Sequence, residues 1–279
     1  PYLLQPIKSH KEIKLLAASV RIGSTRLIDH SFLMTNSPIV AIDGPAGAGK
    51  STVTKAFARQ MGLIYLDTGA MYRAVTWLIQ DKGIEAKDEK KIAKELENLR
   101  LELSISNSSG AQKVFVNQQE VTDLIRSPEI SSKVSAIAAQ KAVREALTAQ
   151  QKEIGLKGGL VAEGRDIGTA VFPNAILKIF LTASVSERAK RRAIDLKQRG
   201  FKVPEIFELE NQIQERDKID STRKIAPLLK DKDAIELITD GMNIKEVTNK
   251  IVDMFRLKVP EEVWPTPLTN DSETPIILQ

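Results

Sequence analysis

The sequence contains no cysteine, which excludes disulfides and thiolate metal sites outright. That absence agrees with a reducing compartment, and the cytoplasm is the expected location. Aromatic residues make up only 5% of the chain, too few for stacking platforms along a single nucleic-acid strand. No uninterrupted apolar run approaches the roughly 20 residues that a membrane span needs, so no membrane partner is expected. Nor does the N-terminus have the layout of a secretory leader, because Lys8, Lys11, Glu12 and Lys14 break it up. The first residue is Pro1 rather than methionine, and a fragment or a processed product is the expectation. The chain also lacks an N-K-x-D segment, which a guanine-reading GTPase would need. The two histidines, His10 and His30, stand near the N-terminus and receive no catalytic role.

What remains is ordinary for a globular protein: 279 residues, 42% hydrophobic and 28% charged. That length suits one large domain, or a domain with substantial insertions. The net charge is +5, from 41 Lys and Arg against 36 Asp and Glu. Such a mild basic bias serves nucleic acid or a small polyanion such as a nucleotide. The shortage of aromatics favours the small anion, and no nucleic-acid partner is expected.

The stretch Ala41 to Thr52, AIDGPAGAGKST, shows what that anion is. Ile39-Val40-Ala41-Ile42 is a short β-branched apolar run, the pattern of a buried parallel strand. Lys50 to Met61 follows as a helix with Val53, Ala56, Phe57 and Met61 on one face. Between them, Gly44, Pro45, Ala46, Gly47, Ala48, Gly49, Lys50 and Ser51 fit G-x-x-x-x-G-K-[ST] in strand–loop–helix context, with Thr52 next. Such glycines let successive backbone N–H groups face a phosphate, and the helix N-terminus adds a favourable dipole. Lys50 would neutralise β- and γ-phosphate oxygens, and the Ser51 hydroxyl would ligate Mg2+. A glycine-rich turn without a ligand is the bland alternative, and motif plus context outweighs it. A nucleoside triphosphate, ATP, is the expected donor.

A second short strand, Leu63 to Leu66, runs into DTGAMYR, Asp67 to Arg73, and a helix carrying Thr76, Trp77 and Ile79. A third strand, Gly159 to Glu163, ends in GRDIGT, Gly164 to Thr169. SERAKRR follows from Ser186, then ERDKIDSTRKIAPL from Glu215 to Leu228. In this order and spacing the chain resembles the bacterial cytidylate kinases from about Ser37 to the neighbourhood of Leu257. One departure is Glu163, where that family more usually has aspartate.

The resemblance implies an α/β P-loop NTPase fold of the nucleoside monophosphate kinase kind: a doubly wound parallel sheet with an acceptor-binding insertion and a helical lid. The expected domains are the kinase over 37–257, with the insertion at about 68–150 and the lid at about 184–223. It implies transfer of the γ-phosphoryl group of ATP to CMP or dCMP by a kinase unit expected to be monomeric. Lys50, Arg165, Arg188 and Arg192 are the expected catalytic residues. Arg73, Arg165, Arg216 and Arg223 would clamp the acceptor phosphate, with Asp220 on the ribose. Ser135, Arg144 and Asp166 would read cytosine, assisted by Thr68.

Structural alternatives exist for several of these. Arg165-Asp166 could be an ion pair, although strand C-termini in a parallel sheet line the ligand crevice. Ser184 to Glu187 reads as a capping box. Arg188, Arg191 and Arg192 share one helix face, which could be merely solvated. Arg216, Asp220 and Arg223 could form a surface ion-pair network, and Lys87 to Lys94 reads as a solvated face. Between the second and third strands, LELSI and KVFVN flank turn residues Asn107 to Gly110 as a hairpin. SSKVSAIAAQKAVREAL, from Ser131, reads as one amphipathic helix. Ser135 and Arg144 would then stand about two and a half turns apart, on different faces.

The two ends do not fit the kinase pattern. KLLAASVRIGSTRLIDH, from Lys14 to His30, resembles the final segment of pantoate–β-alanine ligase, so residues 1–34 are expected to be the remnant of such a domain. Residues 258–279, with several prolines and no amphipathic period, are expected to be a flexible tail. The competing reading from another class is an ATP-dependent regulatory or nucleic-acid-binding module.

Overall fold

A computed structural model describes residues 13–34, 36–105, 112–264 and 274–278. The chain opens with an antiparallel hairpin, β1 (Ile13–Ile22) and β2 (Thr25–Met34), whose side chains are almost all exposed. The kinase-like part then begins with β3 (Ile39–Asp43), α1 (Lys50–Met61), β4 (Ile64–Asp67) and α2 (Thr68–Asp81). Next come α3 (Glu89–Glu97), the small antiparallel strands β5 (Leu101–Ile105), β6 (Gln112–Val116) and β7 (Gln119–Glu120), and helices α4 (Pro128–Ala138) and α5 (Lys141–Ile154). Strands β8 (Leu160–Gly164) and β9 (Leu177–Thr182) lead to helices α6 (Val185–Gln198) and α7 (Ile206–Thr222). Finally β10 (Ile235–Ile238), α8 (Ile244–Arg256) and a terminal strand, β11 (Thr274–Leu278), complete the order.

The central sheet has five parallel strands in the order β10-β9-β3-β8-β4. Alternation of side chains along each strand splits the core into two layers. Ala41, Leu66, Leu160 and Ala162 face α2, α4, α5 and the small sheet, whereas Val40, Ile42, Tyr65 and Val161 face α1 and α8. Helices α6 and α7 pack on each other through their own cluster of Ala189, Leu196, Leu209 and Ile213. They therefore form a unit with a separate small core, in the span expected for the lid. Strand order reverses on either side of β3, and ligands in such sheets bind beyond the strand C-termini at that point.

Three expectations change. The single helix expected from Ser131 is two helices, broken where Gln140 turns extended (φ −68, ψ 133) and donates from Nε2 to the Ala86 carbonyl at 2.7 Å. Tertiary bonding overrides propensity here, since Ala-Ala-Gln-Lys contains no intrinsic breaker. The segment expected as a flexible tail is partly structured. Val259 is buried, Trp264 packs on Phe255, and residues 274–278 pair with β5 as an edge strand, where Pro275 is tolerated. The turn Asn107 to Gly110 lies outside the described residues. Ser184 caps α6 by accepting from the Glu187 amide at 3.2 Å, but the reciprocal arm of a capping box is missing, because Glu187 holds Arg191 at 2.9 Å. Among the described residues no helix is long and apolar enough to cross a membrane.

Gly44 starts the loop after β3 at φ +151, and a Cβ there would lie 2.0 Å from the Leu181 carbonyl oxygen of β9. Gly44→Ala should therefore cost about 2–3 kcal/mol, lowering the melting temperature by about 4–10 °C. Gly83→Ala, where a Cβ would meet nothing within 4 Å, carries only the backbone cost of about 1 kcal/mol. Equal melting temperatures for the two variants would refute this reading of the loop.

Candidate active site

The loop from Gly44 to Gly49 wraps around the first turn of α1, and Lys50 folds back so that Nζ donates to the carbonyls of Gly44 at 2.8 Å and Pro45 at 2.7 Å. Lys50 is buried, and burial, followed by nearby Arg165, pulls its ammonium down to about 7 against the pull of Glu163 and Asp43. Glu163 accepts from the Tyr65 hydroxyl and stands beside Ser51. Burial, then the neighbouring Asp67, pushes its carboxyl above the usual range. Asp67 caps α2 by accepting from the Ala70 amide at 2.8 Å, and it also holds Arg73 at 3.1 Å and Arg126 at 3.0 Å. Burial opposes its charge, but the two guanidiniums prevail and hold its carboxyl below the ordinary value.

These groups line a cleft of about 890 Å³, walled by residues 46–52 of the loop, Arg73, Arg126, Glu163, Arg165, Arg191, Arg192 and Arg216. A smaller pocket of about 60 Å³ opens beside it. All nine residues expected on the acceptor line that pocket: Thr68, Arg73, Ser135, Arg144, Arg165, Asp166, Arg216, Asp220 and Arg223. The break at Gln140 is what brings Ser135 and Arg144 together, because each stands on a different helix.

Charge in the small pocket is organised around two carboxylates. Asp166 pairs with Arg144 and, at 3.3 Å, with Arg223. Asp220 accepts from Ser135 at 3.1 Å and from Arg165 at 2.9 Å, so Arg165 pairs with Asp220 and not with its neighbour Asp166. The Arg144 guanidinium also stacks over the Tyr72 ring at 5.3 Å, a favourable cation–π geometry. Thr68 donates to the Glu163 carbonyl at 2.7 Å. Nε of Arg216 and of Arg73 has no protein partner among the described residues. Burial, followed by Arg165, lowers the Arg216 guanidinium to about 10. Both arginines have donors to spare for an anion.

The arginines of α6 divide. Arg192 faces the large cleft and pairs with Asp195 at 2.9 Å. Arg188 is buried behind the loop, bonded to the carbonyls of Ala183 at 3.0 Å and Ala46 at 3.2 Å and paired with Asp217 at 2.7 Å. Arg191 ties α6 to the loop through the Ala48 carbonyl at 3.1 Å and to the end of β10 through Thr239. Sequence reasoning gave no role to Arg126 or Tyr65, and placed Arg191 with Arg188 and Arg192 on a lid closing on ATP. Only the fold shows what Arg126 and Tyr65 meet.

The depressed Lys50 makes a proton-linkage prediction. At pH 8, where a triphosphate is fully ionised, most Lys50 is neutral, and an arriving polyphosphate favours the ammonium form. Binding of a non-hydrolysable triphosphate analogue should therefore take up close to one proton, read by calorimetry in buffers of different ionisation enthalpy. Lys50→Met should bind without that uptake; the same uptake in the variant would assign it elsewhere.

A family model described as cytidylate kinase matches residues 40–257. The bifunctional pantoate ligase/cytidylate kinase of Synechococcus sp. (strain CC9605) is 64% identical over 267 residues, covering 96% of this chain and 55% of that protein. The protein of the same description from Prochlorococcus marinus (strain MIT 9303) is 63% identical over 264 residues, 95% of this chain and 54% of that protein. The chain thus spans about half the length of the curated relatives it matches. A solved shikimate kinase from Acinetobacter baumannii in complex with shikimate is similar at a TM-score of 0.38 and 17% identity, covering 81% of this chain and 97% of that one. With the greater part of its length matched, the chain belongs to the cytidylate kinase family.

Proposed function

We propose that this chain transfers the γ-phosphoryl group of ATP to CMP or dCMP, releasing ADP and CDP or dCDP. The observation that carries this reading is the shared wall between the two cavities. Arg73, Ser135, Arg165 and Arg216 line both, so a phosphate in the small pocket would face phosphates held by the loop. Phosphoryl transfer needs little covalent work from the protein and depends on positioning and charge stabilisation. Lys50 leaves its carbonyl partners for the donor phosphates, while Arg165 and Arg192 stabilise charge on the transferring group. Arg188 acts from behind the loop by fixing the Ala46 carbonyl. Arg73, Arg216 and Arg223 hold the acceptor phosphate, and Asp220 takes the ribose. Mg2+ would take the Ser51 hydroxyl, with the Glu163 carboxyl beside it as a further oxygen donor. When bound there with the donor phosphates, it supplies neutralising charge.

Cytosine choice follows from Asp166 and Arg144. A carboxylate accepts from the 4-amino group of cytosine but meets the uracil 4-carbonyl acceptor to acceptor. Arginine donates to cytosine N3 or O2 but opposes the N3–H of uracil. One mismatched buried polar contact costs on the order of 1–3 kcal/mol. A coupled ADP-release assay across the nucleoside monophosphates should therefore give CMP or dCMP the highest kcat/KM. ADP release driven by DNA or RNA and not by CMP would overturn the proposal. Asp166→Ala leaves Arg144 and Arg223 without their buried partner and should slow all acceptors, but CMP more than UMP. An equal proportional loss would mean that Asp166 only orients its arginines.

Residues 1–34 are proposed to belong to a pantoate ligase-like unit, and the kinase to work without them in the cytoplasm as a monomer. Both faces of the hairpin carry exposed apolar side chains, Leu15 and Ile28 on one and Leu16, Val20 and Leu27 on the other. At its end Met34 joins the cluster that includes Val263 and Trp264. Removing residues 1–34 should leave kcat/KM for CMP within about threefold of the parent chain. An inactive or insoluble truncation would show that the hairpin is part of the kinase fold.

A further inference from the structure

We propose that Asp43 is a positioning residue that keeps the cytosine-facing loop in register with the phosphate cradle. This rests on the acceptor assignment above. Asp43 is the last residue of β3, directly before Gly44, and is buried. Its Oδ1 accepts from the Ile167 amide at 2.8 Å and its Oδ2 from the Gly168 amide at 2.7 Å. Those are the first two amides after Arg165-Asp166. They open a single wide turn in which the Ala170 and Val171 amides return to the Asp166 carbonyl at 2.9 and 3.2 Å. The first amides of any helical turn lack partners within it. Here one carboxylate supplies both partners, from 124 positions away in sequence.

The geometry requires an acid. Two donors converge on two oxygens, and an amide side chain of the same shape offers only one acceptor. Gly168 leaves the carboxylate room: a Cβ there would only reach ordinary contact with Asp43 Oδ2 at 3.4 Å, and would lie 3.2 Å from the flexible Lys178 stem. Within the pocket, Asp166 is aimed by Arg144 and Arg223 from one side, and its backbone is fixed from the other by Asp43. The donor cradle and the acceptor loop thus share one anchor at the end of β3.

The surroundings give the anchor a pH dependence. Lys50 of α1 and Asp166 of the loop face Asp43. Lys178 of β9 lays its stem on Gly168 but gives its ammonium to Asp231 at 3.2 Å. Burial raises the Asp43 carboxyl to about 6, with Asp166 adding to the rise and the two amides and Lys50 opposing it. Because this lies above the ordinary carboxyl value, protonating Asp43 favours the folded over the unfolded chain as pH falls through about 6. The same proton turns one acceptor into a donor facing an N–H. Acidification should therefore weaken loop positioning without weakening the fold through this group.

The test uses the ligand-free chain first. In the wild type, the 15N–1H shifts of Ile167 and Gly168 should titrate together with a midpoint near pH 6, and Asp43→Asn should abolish that step. Ile167 and Gly168 amide shifts at pH 8 that are the same in Asp43→Asn as in the wild type would overturn the proposal whether or not the chain turns over CMP. Kinetics then separate positioning from charge. Asp43→Asn should raise KM for CMP at least fivefold more than KM for ATP, with a cooperative melt retained. Asp43→Glu, which keeps the charge but lengthens the arm, should not restore it. Equal effects on the two KM values, or full rescue by glutamate, would reduce Asp43 to a charge beside Lys50. If Asp43→Asn fails to fold, Asp43→Glu decides: equal effects of that variant on KM for CMP and for ATP would overturn the proposal.

Discussion

The organisation of this protein turns on buried positive charge at the C-terminal ends of parallel strands. Arg73, Arg216 and Arg223 are each pushed below the ordinary guanidinium value, with burial as the largest cause, and Lys50 is brought to about 7. Such groups are costly in a fold unless something compensates them. Asp67, Asp166 and Asp220 each hold more than one polar partner, which offsets part of the cost. Among the described residues, the Nε groups of Arg73 and Arg216 have no protein partner. A polyanion would complete the balance, and the belonging of the chain to the cytidylate kinase family indicates which polyanions to test.

The same arrangement explains why the strands are not interchangeable. β3 carries the cradle, β4 presents Asp67 to the helix cap and to Arg73, and β8 presents Glu163, Arg165 and Asp166. The α6–α7 pair, with its own small core, contributes Arg192 and Arg216 from outside the sheet. Arg188 and Arg191 fasten that pair to the loop carbonyls. Any movement of α6 and α7 would therefore act directly on the cradle.

Much of this was legible in the sequence because the information was local. The cradle is a contiguous run whose glycines, lysine and hydroxyl have fixed offsets, and α1 falls on Lys50 to Met61 as expected. The residues that line the small pocket were legible through their family motifs, although their convergence was not. Ser135 and Arg144 looked incompatible on one helix, and only the turn at Gln140, pinned to Ala86, reconciles them. Arg126 and Asp43 act across 59 and 124 residues of chain respectively, a separation with no local periodicity to betray it. The edge strand at 274–278 was not legible, because short edge pairing has no amphipathic period to mark it and leaves little trace in composition.

The central claim is that donor and acceptor phosphates meet in one continuous space between the loop and the arginine cluster. A molecule joining cytidine and adenosine through a five-phosphate bridge tests it most directly in a competition titration. The account predicts one molecule bound per chain, competitive against both ATP and CMP. Binding that competes with ATP but leaves CMP unaffected, or a stoichiometry of two, would contradict it.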